Sequence, residues 1–290
     1  MVRTDIKEEE ERMMREVNEA SIQAYCRYLI REEKSAATVE KYIRDVRAFS
    51  AFLGKRKVTK SRVIEFKKHL LESGYAVRSI NSMLASLNGF LKFLGRVDCR
   101  VRSVKLQKQV YCAEERELTK LEYQRLLHAA ERQEQLWLVM QAICGTGIRV
   151  SELRFFTVEA VTRGEISVNC KAKTRVILIP GKLRRALLNY ARKQKIRSGV
   201  IFLTRSGKPM GRKMIWAQMK GLCKAANVDP RKVFPHNLRK LFARTFYAIE
   251  KDIAKLADIL GHSGIDTTRI YIMSTGAEHR RKIEQLGLVM

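Results

Sequence analysis

Proline is scarce in this 290-residue chain, with four in all, and long stretches carry no glycine, a combination that favours helices. The six cysteines (Cys26, Cys99, Cys112, Cys144, Cys170, Cys223) include no Cys-x-x-Cys pair and no Cys/His cluster. That argues against a disulfide framework and against a zinc site, and it suits a reducing cytosol. The longest apolar run, Leu136–Cys144, is interrupted by Gln141 and is too short to span a bilayer. Residues 1–20 are charged and net acidic, unlike a signal peptide, and no lipidation motif is present. Acidic residues are also outnumbered, 30 against 58 Lys plus Arg, leaving a net charge of +28. An excess of that size attracts a polyanion, and nucleic acid is the expected partner rather than a membrane.

Length and pattern suggest two domains. Residues 21–95 hold four amphipathic segments, three of them ending at Gly54, Gly74 or Gly95, with Ser35, Thr38 and Thr59 suited to helix starts. In the second, Val39, Tyr42, Ile43, Val46, Phe49 and Phe52 or Leu53 recur at steps of three and four. In the fourth, Ile80, Leu84, Leu87, Leu91 and Leu94 do the same. A compact four-helix domain is expected. Residues 96–117 lack a clean period, are basic until their acidic end, and read as a linker. Thr119 and Glu122 then form a capping-box pattern opening a mostly helical domain over 118–290, with a hairpin of "EISVNC" and "RVILIP" around the turn "KAKT" and a short third strand at "VIFLT".

Four stretches gather polar residues that packing leaves unexplained. In "GTGIRVSEL", two glycines let the chain turn sharply before Arg149, which Glu152 can brace three residues on. Lys171 and Lys173 sit at the hairpin turn. In "FPHNLRKLFA", Pro235 starts a helix that places His236 and Arg239 on one face near its positive end, an anion site. In "LGHSGIDTTRIYI", Gly261 ends a helix, His262 follows on the loop, and Tyr271 points about 100° away from the Ile265/Ile272 line. Two arginines, two histidines, a lysine and a tyrosine with no acidic metal cluster suit a phosphate site with a nucleophile and no required cation or other cofactor.

At these residues the chain resembles the tyrosine recombinases of the phage integrase family, of the Xer-like or mobile-element type. "TGIRVSEL" is similar to the family's first arginine box, "HNLRKLFA" to its His-x-x-Arg box, and "LGHSGIDTTRIYI" to the box with the second histidine and the nucleophile. The likeness is close over about residues 118–275 and looser over 21–95, which is similar to the family's core-binding domain. It implies a mainly α protein whose two domains clamp DNA in a C shape, with a small antiparallel sheet in the second. It implies Tyr271 as nucleophile forming a 3′-phosphotyrosyl link, with Arg149 and Arg239 on the phosphate and His262 bonded to it. His236 would assist proton transfer at the tyrosine, Glu152 would support, and Lys171, or else Lys173, would be the general acid. Lys240 stands where the family commonly has histidine, and the hairpin turn is one residue shorter than the frequent form.

The expected activity is site-specific cleavage and rejoining of DNA for integration, excision or resolution. The alternatives are a catalytically silent site-specific regulator and a type IB topoisomerase-like enzyme. Partners implied are duplex DNA with inverted-repeat core sites, a homotetramer on DNA and an accessory directionality factor, in a cytoplasmic setting. Lys41, Arg44, Arg78, Asn81 and Lys173 are candidate DNA contacts. The segment after Tyr271, with Ile283, Leu286 and Leu288, is expected to dock on a neighbouring subunit, and residues 1–20 are too short and too acidic for an arm-type DNA-binding domain.

Overall fold

The structure is a computed structural model that describes residues 16–105, 117–170, 173–273 and 276–288. It divides into two units between Lys108 and Gln109. Most of the acidic N-terminal segment, linker residues 106–116 and the hairpin residues Lys171 and Ala172 lie outside the described residues.

The first unit contains α1 (Glu19–Arg31), α2 (Ala36–Leu53), α3 (Lys60–Glu72) and α4 (Val77–Phe93). Asn18 and Ser21 cap α1 reciprocally, and the side chains of Ser35 and Thr59 accept from backbone N–H groups at the starts of α2 and α3. The expected stripes are buried: Val39, Ile43, Val46, Phe49 and Leu53 from α2, and Ile80, Leu84, Leu87, Leu91 and Leu94 from α4. Each such side chain contributes about 1.5–3 kcal/mol by leaving water.

Two of the expected DNA contacts on these helices are engaged internally. Lys41 donates to Asp45 (2.5 Å), to Ser86 Oγ (3.0 Å) and to the Ser82 carbonyl (3.1 Å), compensating a carboxylate only 4% exposed. Asn81 donates to the Val104 carbonyl (2.9 Å) and accepts from the Val104 N–H (2.8 Å). Two turns along α4, Asn88 makes the same pair with Val101, at 2.8 and 3.0 Å. The two amides thus hold residues 101–104 along α4, while Cys99 and Val101 join the first unit's core. Residues 96–105, which lack a helical period, are therefore part of this unit rather than a free tether. Arg44 and Arg78 remain exposed.

In the second unit, α5 (Lys120–Ala129) opens with the Thr119/Glu122 capping box. The apolar α6 (Glu134–Thr146) follows, then a 3₁₀ turn (Val150–Phe155), α7 (Val158–Arg163) and the hairpin β1 (Glu165–Cys170) and β2 (Lys173–Leu178). After these come α8 (Gly181–Lys193), α9 (Arg212–Gly221), α10 (Cys223–Ala226), α11 (Pro235–Glu250), α12 (Ile253–Leu260), α13 (Ile265–Tyr271) and α14 (Gly276–Glu284). A helix apolar nearly all round must be covered on most sides, and α6 packs against α8, α9 and α11. In the hairpin Ile166 faces Ile177 and Cys170 pairs with Lys173, so β2 begins inside the expected turn. "VIFLT" does not join the sheet. Its backbone bonds to Phe156 and Met210 instead, forming only isolated bridges. Ile283, Leu286 and Leu288 at the C-terminal end are exposed.

Replacing Asn81 or Asn88 by Ala removes two hydrogen bonds and leaves partly buried backbone groups unpaired, at about 1–3 kcal/mol. Thermal unfolding is expected to fall for both variants, with amide exchange accelerating at Val101 in Asn88→Ala and at Val104 in Asn81→Ala. Unchanged exchange at those amides counts against this clasp.

Candidate active site

The geometry starts at the end of α6. Gly147 leaves that helix with φ +65°, and a Cβ there would stand 2.4 Å from the Phe242 ring, so both the turn and the packing of α11 demand glycine. The turn delivers Arg149 to the head of the 3₁₀ turn. Its Nη1 donates to Glu152 Oε1 (3.0 Å), its backbone N–H to Oε2 (2.9 Å), and its Nη2 to the Gly261 carbonyl (2.8 Å).

Glu152, 3% exposed, also accepts from Arg175 Nη2 at 2.6 Å. Burial pushes its carboxyl up, but the hydrogen bonds from Arg149 and the charge and hydrogen bond of Arg175 outweigh that, and its pKa lies below the ordinary value. Arg175 was not foreseen from sequence. It sits opposite Val168 in the hairpin, on the same side as the buried Ile177 and Ile179, while Val176 and Leu178 are exposed. An arginine on the inward alternation of "RVILIP" is the signal that marks it. A Cβ on Gly261 (φ +62°) would lie 2.5 Å from Arg175 Nη1, so this glycine also admits the guanidinium.

Arg239 comes from the first turns of α11 and is 2% exposed. It donates to the carbonyls of Gly147 and Leu260, the latter at 2.6 Å, and its Nε is buried with no partner among the described residues. Burial first, then the Arg149 charge, lowers its pKa to about 10, so it stays cationic at neutral pH. Two guanidiniums therefore share one carboxylate while Arg239 has no carboxylate partner among the described residues, and the surplus positive charge opens into a cleft of about 870 Å³ lined by Arg149, Arg239, His236 and Tyr271.

The hydrogen bonds fix the His262 tautomer. Arg239 Nη2 lies 3.2 Å from His262 Nε2, and arginine only donates, so Nε2 accepts. Nδ1 then carries the proton and donates to Thr268 Oγ1 at 2.9 Å, a hydroxyl fully buried in α13. Burial, followed by the charges of Arg239, Arg149 and Arg175, lowers the His262 pKa to about 4, which keeps the ring neutral. His236 is also held below its ordinary value, by burial and then by Lys240, Arg239 and Arg212.

Tyr271 departs from the expected pattern on its helix. Ile265 and Ile270 are exposed, while Thr268 and Tyr271, three residues apart, turn inward. The Tyr271 ring packs with Ala243, Leu256 and Leu260, lies edge-on to His236 (5.1 Å between centroids) and tilts against His262 (4.8 Å). The inward face is thus set by the two histidines, α12 and the partly buried Ile272 rather than by Ile265 and Ile270. Lys240 bonds through its Nζ to Glu117 (2.9 Å), a buried carboxylate also held by Arg244 (3.3 Å). Lys173 lies on β2, whereas Lys171 lies outside the described residues.

Two outcomes follow. Glu152→Gln leaves Arg149 and Arg175 without their counter-charge, and a loss of about 3–5 kcal/mol in denaturant unfolding is expected. For His262 the folded pKa is depressed, so its contribution is complete above 6.5 and is lost as pH falls from 6.5 through about 4. His262→Gln is expected to flatten the fall of thermal stability across that window relative to the parent chain. Parallel curves contradict the assignment.

A sequence profile described as the phage integrase family matches residues 116–278, and one described as the phage integrase N-terminal SAM-like domain matches residues 22–97. The chain is 28% identical over 279 residues to tyrosine recombinase XerA of Pyrococcus furiosus, covering 92% of this chain and 94% of that one. It is 30% identical over 282 residues to tyrosine recombinase XerA of Thermococcus kodakarensis, covering 94% and 96%. In fold it is similar to a lambda integrase dimer bound to a COC′ core site, with TM-score 0.71, 18% identity, and 89% of this chain and 96% of that chain covered. It is also similar to a lambda integrase tetramer bound to a Holliday junction, with TM-score 0.68, 18% identity, and 86% and 75% covered. The chain belongs to the phage integrase family and is a tyrosine recombinase.

Proposed function

We propose that this protein cuts and rejoins DNA at specific sites by transferring a phosphodiester to and from Tyr271. The observation that carries the reading is the cationic surplus around Glu152, open to a cleft into which Tyr271 is packed between two histidines. Arg149 and Arg239 hold the non-bridging oxygens through their guanidinium groups. The Tyr271 oxygen attacks phosphorus, His236 assists removal of its proton, and the bond to the 5′-oxygen breaks. Lys171, or Lys173 in its place, protonates that oxygen. A 5′-hydroxyl then attacks the phosphotyrosine and regenerates the tyrosine. The ester stores the bond, so ATP is not required, and fixed guanidiniums supply the charge that a divalent ion supplies in other phosphoryl-transfer sites.

Duplex DNA fits the net charge of +28. Arg44 and Arg78, exposed on the first unit, are the DNA contacts carried forward. Inverted-repeat core sites, a cytoplasmic setting and an accessory directionality factor belong to the same reading. Exposed Ile283, Leu286 and Leu288 suit docking of the C-terminal segment on a neighbouring copy, and lambda integrase forms a tetramer on a Holliday junction.

The test is incubation with a library of nicked duplexes randomised in sequence, followed by recovery of DNA that stays attached through denaturation. The expected result is a covalent adduct undiminished by EDTA and absent from Tyr271→Phe. An adduct from Tyr271→Phe, or loss of the adduct on chelation, overturns the assignment.

A further inference from the structure

The cleft at Tyr271 is larger than its proposed phosphate requires. Its volume of about 870 Å³ falls in the range that encloses a drug-sized molecule. Its lining is also of two chemical kinds. Arg149, Arg239 and His236 offer charge and hydrogen bonds, whereas Phe234 and Trp216 offer apolar surface.

Trp216 is the unusual member of the apolar set. It is 47% exposed, although large aromatic side chains contribute most when buried. It stands on α9, three and four residues beyond Lys213 and Arg212, which also line the cleft, so one helix face presents two cations and an indole. One turn further on, Lys220 Nζ sits 5.5 Å from the indole centroid, a cation–π contact that restrains the ring. A restrained, solvent-facing indole beside an anion site has the form of a platform for the deoxyribose of a duplex strand, whose carbon face is apolar while the bases are stacked on one another.

We propose that Trp216 forms a nucleoside subsite: its indole packs against the sugar of the nucleoside flanking the phosphate held by Arg149 and Arg239, and thereby positions that phosphate for Tyr271. This rests on the recombinase reading of the cleft. Arg212 and Lys213 then bind the adjoining backbone, and the indole sets where the reacting phosphate comes to rest. General affinity for DNA follows from phosphate charge, so it does not depend on this ring.

The chain contains two tryptophans, so the Trp216 signal is read as the difference between the parent chain and Trp216→Phe. The probe is a nicked duplex recovered from the randomised library through its covalent adduct, compared with a random duplex. Binding of the recovered duplex is expected to quench or shift the difference emission. Trp216→Ala is expected to form adduct about tenfold more slowly or worse at saturating duplex, with affinity for the random duplex within about twofold, and Trp216→Phe to retain most of the rate. An unmoved difference emission, or Trp216→Ala reacting at the parent rate, overturns the subsite. The emission measurement holds even where the alanine variant folds poorly. No adduct from the parent chain overturns the recombinase reading and the subsite with it, whereas an adduct with an unmoved indole overturns the subsite alone.

Discussion

The buried carboxylate of Glu152, shared between Arg149 and Arg175, is the interaction on which the site depends. It joins three pieces of chain: the turn after α6, the inner face of the hairpin, and, through the Gly261 carbonyl that Arg149 holds, the loop after α12. Burying one carboxylate with two guanidiniums is tolerated because each oxygen has a close donor. The same arrangement leaves the neighbouring Arg239 without a carboxylate of its own. The excess charge is therefore a property of the packing, held at one place by the helices around it.

Around that cluster, structural and chemical roles fall on the same residues. Tyr271 closes a small apolar group with Ala243, Leu256 and Leu260, yet its ring touches both histidines. Its position is thus fixed by packing, and in the proposed reaction that lowers the ordering cost. The chain Arg239–His262–Thr268 extends this control into α13. Arg239 donates to one ring nitrogen and the other donates to Thr268, so the imidazole is oriented by its neighbours.

Much of the fold was legible in the sequence. The stripes on α2 and α4, the Thr119/Glu122 box and the glycine-ended helices all appear where spacing placed them. Arg149, His236, Arg239, His262 and Tyr271 do converge on one site. Other features lay beyond what a local pattern shows. Lys41 and Asn81 lie toward the edges of their helix stripes, where periodicity assigns a face but not a partner, and the partners proved to be Asp45 and the Val104 backbone. Arg175 was hidden in a strand read only for its branched residues. Thr268 drew no attention in the sequence, yet its buried hydroxyl orients His262. Glu117, placed with the linker, is a buried counter-ion for Lys240 and Arg244.

By itself, the sequence determined the helical character, the attraction to a polyanion and the residue types at the site. Capping, periodicity and net charge depend on residues a few positions apart, or on the whole chain regardless of shape. Only the tertiary structure decided which arginine shares Glu152, which histidine nitrogen bears the proton, and that Tyr271 turns inward. Those outcomes depend on contacts such as Arg149 with Gly261, 112 residues apart, whose geometry is set by helix packing that no local pattern encodes.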